Sequence, residues 1–121
     1  MDTLFERITS RANVDALVES FYRKVLTDSR ISHFFDEADM DRQMVKQKAF
    51  LTMAFGGPNE YTGKDMRTGH AHLLERGLND SHVDAVIELL ANTLRENEVA
   101  DSDISQVAAI AESVRKDVLG R

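Results

Sequence analysis

Apolar residues recur along this chain at helical spacing and nowhere keep a sustained strand alternation. Val14, Leu17, Val18, Phe21, Tyr22, Val25 and Leu26 fall at i, i+3, i+4, i+7, i+8, i+11 and i+12, the stripe of an amphipathic helix, and Asn13 is a suitable N-cap for it. A short opening turn around Thr3 to Ile8 precedes this helix, and a turn carrying Ile31, Phe34 and Phe35 follows it. The next helix is opened by Asp39 or Asp41 and closed by Gly56-Gly57-Pro58, because glycine just past a helix with proline beyond it is a stop signal. Residues 58 to 63 read as a loop. A short helix then carries Met66, His70, Leu73 and Leu74 on one face and stops at Arg76-Gly77.

Ser81 with Asp84 resembles a capping box for a helix whose stripe is Val83, Val86, Ile87, Leu90 and Leu94. A last helix starts near Asp101 or Ser102 and buries Ile104, Val107, Ala108, Ala111, Val114 and Val118. The expectation is an all-α stack of amphipathic helices with no sheet.

Composition narrows the setting. The chain has 121 residues, 42% of them hydrophobic, which suits one domain over 1–121 and leaves no room for a second. With 21 acidic against 15 basic residues the net charge is -6, and no Lys/Arg run exceeds pairs such as Arg23-Lys24. That argues against nucleic acid or an anionic membrane as partner, since both need clustered positive charge. The absence of cysteine excludes disulfides, thiolate zinc sites and iron-sulfur clusters. No segment approaches the ~20 apolar residues of a membrane span, and the N-terminus lacks the pattern of a secretion signal. A cytoplasmic protein is the expectation.

The informative positions are polar groups on apolar faces. In the helix ending at Phe55 the inward stripe reads Gln43, Gln47, Phe50, Leu51, Ala54, which puts two amides one turn apart beside an apolar wall. Burying an amide without a partner costs about 1–3 kcal/mol, so something inside should need donors. Tyr22 supplies a third donor and His70 an imidazole among Met66, Leu73 and Leu74. One imidazole facing three donors across an apolar pocket suits an iron-bound diatomic ligand. Taken singly, each has a plainer explanation: a core histidine, amides at a helix edge, a hydroxyl bonded to a carbonyl.

Other chemistries fail on spacing. His70 and His72 point to different faces of a helix, and no Glu lies three residues before any of the four histidines, so zincin and ferritin-like sites are absent. Gly57 to Lys64 has the wrong glycine spacing for a phosphate loop, and no nucleophile elbow occurs. The methionines at 40, 44, 53 and 66 read as core filler.

The stretches FYRKVLTDSRISHFF, DMDRQMVKQKAFLTMAFGGPNEYTGKDMRTGH and LNDSHVDAVIELLANTL, in this order, resemble the group I truncated haemoglobins of cyanobacteria, green algae and ciliates, and the likeness runs from about Leu4 to Leu119. The resemblance implies a truncated globin, a two-over-two helical sandwich around non-covalent haem b. It implies His70 as proximal iron ligand, Phe35 against the haem face, Tyr22, Gln43 and Gln47 as distal donors, and Phe50, Leu51, Met66 and Val86 lining the pocket. Arg42 would pair with a propionate.

Three departures bear on this. Thr9-Ser10 replaces the family's glycine pair. Arg115-Lys116-Asp117 stands where some members carry a histidine linked to a haem vinyl, and Lys46 stands where several have a histidine as sixth iron ligand. Lysine ligates the iron in algal relatives; here it would need a deprotonated amine, the alternative being a solvated or propionate-paired side chain. The resemblance implies binding of O2, NO or CO by a monomer, with nitric oxide dioxygenation or reactive-nitrogen detoxification, and with a reductase to restore the iron. The competing readings are a haem-based gas sensor, a redox protein, or a haem-free helical interaction module.

Overall fold

In the computed structural model of the chain the described residues are 3–10, 12–35, 40–57, 70–71 and 73–120, with side chains described only from 44 onward in the third helix. All regular structure among them is helical: α1 (Leu4–Thr9), α2 (Val14–Thr27), a 3-10 turn (Ser32–Phe35), α3 (Met40–Ala54), α4 (Asp80–Glu96), α5 (Asp101–Ser113) and α6 (Arg115–Val118). Residues 70, 71, 73 and 74 are also helical. Met66 and the loop 58–63 lie outside the described residues.

Caps explain where the helices start. The Asn13 side chain accepts from the Asp15 amide at 2.7 Å and opens α2. The opening turn expected near Thr3 is a helix, because the Thr3 hydroxyl accepts from the Glu6 amide at 3.1 Å and Ile8 is fully buried. The fourth helix begins earlier than its Ser81/Asp84 signal suggests. Asn79 is its cap, accepting from the Ser81 amide at 2.9 Å, and the reciprocal bond comes from a histidine: His82 Nδ1 accepts from the Asn79 amide at 3.0 Å.

Three helical stretches end in one motif, a 6→1 and a 5→2 backbone bond around a left-handed residue. After α3, Gly57 N donates to Thr52 O and Gly56 N to Met53 O, both at 2.9 Å. After the 70–74 stretch, Leu78 N reaches Leu73 O and Gly77 N reaches Leu74 O, both at 3.1 Å. After α4, Val99 N reaches Leu94 O and Glu98 N reaches Arg95 O, again at 3.1 Å. Gly56 (φ 74°) and Gly77 (φ 95°) take the left-handed position without a steric penalty, whereas Glu98 (φ 62°) takes it with a side chain.

The last helix expected from the pattern is two helices. The helix is interrupted at Val114 (φ −100°, ψ 0°), which separates α5 from α6, while Val114 and Val118 still line a common cavity. The stripes are also narrower than the pattern implies: Leu26 is 39% exposed and Ala108 only partly buried.

Packing is two-over-two. The α2/α3 and α4/α5 pairs stack through α2 on α4 and α3 on α5, with α1 laid against α5. The core where they meet includes Leu17, Phe21, Val25, Leu51, Phe55, Leu90, Leu94 and Val107, each worth about 1.5–3 kcal/mol on burial. The buried polar groups here have partners. The Thr93 hydroxyl donates to Leu89 O at 2.9 Å, and Asp103 accepts from Arg7 Nε at 2.9 Å, tying α1 to α5.

Candidate functional site

The α2/α3 pair, the 3-10 turn and the 70–78 segment face α4 and the C-terminal helices across a cavity of about 270 Å3. That lies just under the usual range for small-molecule sites, about 300–1,000 Å3. Its walls are apolar: Phe21 and Val25 from α2, Phe34 and Phe35 from the 3-10 turn, Phe50 from α3, Leu73 and Leu78, Val83, Val86 and Ile87 from α4, and Val114 and Val118 at the C-terminal end. Four polar side chains join this lining, Lys46, Gln47, His70 and His82, and no carboxylate does among the described residues. A second hollow of about 430 Å3, over Lys24, Asp28, Arg95 and Glu96, is walled by charge and holds none of the residues singled out by the sequence.

The structure therefore brings Phe35, Lys46, Gln47, Phe50, His70 and Val86 to one cavity from four parts of the chain. Helical periodicity accounts for the three on α3: positions 46 and 47 each lie one turn before position 50. Lys46 is exposed as well as cavity-lining, whereas Gln47 and Phe50 are partly buried.

Two expected residues sit deeper. Leu51 is fully buried in the helical core and is absent from the cavity lining. Tyr22 is 4% exposed and lies behind the wall, its ring edge-on to Phe35 at 6.2 Å and 81°. Burial pushes the Tyr22 phenol above its ordinary 10.0, so it remains protonated and able to donate. Arg42 and Gln43 lie on α3, but their side chains are outside the described residues, as is Met66.

One cavity residue was not visible in the pattern. His82 sits beside Val83 at the start of α4 and reads as a surface residue on periodicity alone; the only available signal is its place three residues after Asn79. Its ring meets Phe34 edge-on at 4.9 Å. Arg76 braces the same corner, donating to the carbonyls of His33 and Phe34 and lying 5.8 Å from the Phe34 ring centroid. Arg115 ties the same end of α4 to the C-terminal helix. It donates to Asp80 Oδ1 at 3.1 Å, to Glu112 Oε1 at 2.6 Å and to Asp84, which raises its pKa further and joins α6 to the first turn of α4.

Comparison with known proteins matches this architecture. The bacterial-like globin family model covers residues 3–119. The chain is 47% identical to the group 1 truncated haemoglobin GlbN of Synechocystis sp., over all of both chains. Among solved structures, the 2/2 haemoglobin of Synechococcus sp. PCC 7002, in the cyanomet state with covalently attached haem, superposes with a TM-score of 0.88 at 43% identity, covering 99% of this chain and 100% of that one. The Fe(III) truncated haemoglobin of Tetrahymena pyriformis gives 0.86 at 44% identity over 99% of this chain and 100% of that one. Sequence, helix order and cavity converge: the chain belongs to the bacterial-like globin family, among the group 1 truncated haemoglobins.

Proposed function

We propose that the chain is a haem b protein that binds O2, NO and CO and carries out nitric oxide dioxygenation. The observation that carries this reading is the His70 imidazole in an apolar cavity that also receives Gln47, Lys46 and His82 and has no carboxylate among its described lining residues. Those features fit the cofactor. A flat macrocycle needs greasy walls, and an iron that already has four ring nitrogens needs only one protein ligand. Among the described residues there is no cluster of three His, Cys, Asp or Glu that could hold a bare ion, and a single histidine is enough for haem.

When bound, haem b supplies an iron centre for diatomic ligands and one-electron chemistry. His70 would hold it from the proximal side, Phe35, Phe50, Met66 and Val86 would pack around it with Leu51 behind them, and Arg42 would pair with a propionate. Tyr22, Gln43 and Gln47 would donate hydrogen bonds to a diatomic ligand on the distal side, and Lys46 would serve as sixth ligand there only until that ligand displaces it. Two donor bonds of about 1.5 kcal/mol each slow ligand release by about two orders of magnitude, which suits a tightly holding enzyme better than a carrier. The reaction balances as NO + O2 + e⁻ giving nitrate, with the electron from a separate reductase. Attachment is non-covalent, because the four histidines are 33, 70, 72 and 82 and none lies in the C-terminal region. We place the chain in the cytoplasm as a monomer; no helix among the described residues is long and apolar enough to cross a membrane.

Reconstitution with hemin tests this directly. The chain should retain haem through gel filtration with an intense Soret band, and His70→Gly should lose it until imidazole is added. A colourless wild-type protein would end the haem reading in favour of a helical interaction module.

A further inference from the structure

We propose that His82 is a cofactor-binding residue whose Nε2–H donates to a propionate carboxylate; the inference rests on the haem reading above. Of the four polar groups lining the cavity, Lys46, Gln47 and His70 already have a task, and His82 has none in the reaction.

Its ring is fixed by the fold. His82 Nδ1 accepts from the Asn79 backbone N–H at 3.0 Å, so that nitrogen carries no proton. The neutral imidazole therefore bears its proton on Nε2, on the far side of the ring from the helix backbone. Phe34 meets this ring at 81° and His33 lies 6.0 Å away at 73°, so its tilt is set from two sides.

The charges around it favour an anion. Arg76 stands over Phe34, the ring that both imidazoles pack against. The carboxylates closest on its own helix, Asp80 and Asp84, are held by Arg115. An apolar slot strongly disfavours a buried carboxylate, so the propionate edge of a haem must emerge where donors wait at the rim. A neutral N–H locked in orientation by its own capping bond is such a donor, and ordering it at binding costs little entropy.

The capping role supplies variants that separate binding from folding. Glutamate and glutamine are the usual residues three places after an N-cap, so His82→Glu and His82→Gln both keep the bond from Asn79. Only Gln keeps a donor; Glu presents a second carboxylate to the propionate. Each protein, loaded with haem b or with its dimethyl ester, is mixed with excess apomyoglobin and the rate of porphyrin loss is followed.

With haem b, His82→Glu should lose porphyrin about tenfold faster than wild type and His82→Gln within about twofold; with the ester, all three should agree within about twofold. If His82→Glu accelerates loss of both porphyrins alike, or of neither, His82 is a helix cap and nothing more. A wild-type chain that retains neither porphyrin removes the haem reading and this inference together. Retention of both with no porphyrin-dependent difference removes only the inference.

Discussion

Phe5 packs directly against Gly57: a Cβ built on the glycine would stand 2.4 Å from Phe5 Cδ2 and 2.9 Å from Cγ. The contact joins α1 to the end of α3, and it uses the absence of a side chain, since Gly57 has no left-handed φ. Gly57→Ala should cost about 1–3 kcal/mol in urea unfolding through overpacking. The same substitution in a Phe5→Ala background should be nearly neutral, because the clashing ring is gone.

Glu98 occupies with a side chain the left-handed position that Gly56 and Gly77 fill elsewhere. Glu98→Gly should therefore raise stability by about 0.5–1 kcal/mol, seen as a higher urea midpoint with an unchanged slope. The motif's apolar partner Val99, 6% exposed, keeps the turn in place.

Lys46 is exposed yet lines the cavity. In the haem-loaded protein, Lys46→Ala should convert a low-spin ferric spectrum to a high-spin one. Low-spin character that persists unchanged in the variant would exclude the amine as sixth ligand.

Tyr22→Phe and Gln47→Leu should each speed O2 release about tenfold, measured by stopped-flow displacement with CO. Tyr22 also carries a pH signature. Its pKa is raised in the folded state above the ordinary 10.0, so its contribution to stability is complete below that pH and is lost as the pH climbs through the raised value. Thermal unfolding of Tyr22→Phe between about pH 9 and 11 should lack that part of the alkaline decline.

The sequence reveals α2 and α4 because their stripes keep helical phase for three turns or more, and it reveals the stop at Gly56-Gly57 because glycine there has a steric cause. It hides the break at Val114, since Val114 and Val118 keep i, i+4 spacing whether or not the helix bends between them. The start of α4 is ambiguous for a similar reason: Asn79/His82 and Ser81/Asp84 both offer a capping pair two residues apart, and tertiary packing of His82 on Phe34 accompanies the first. At the site, Gln47 and His70 stand out as polar intrusions into apolar faces, whereas His82 obeys the surface pattern and is drawn in by its cap. The Arg7–Asp103 pair, 96 positions apart, leaves no periodic trace at all.

The cavity wall carries no described carboxylate although the chain as a whole is at -6. The anionic field therefore lies outside, facing the solvent. Uncharged gases cross such a field without gain or loss, so their association rates should hardly change with ionic strength, whereas azide should bind faster as added salt screens the repulsion. A negatively charged product leaving the interior would travel down that same gradient, so the surface that slows stray anions on entry would speed the exit of nitrate.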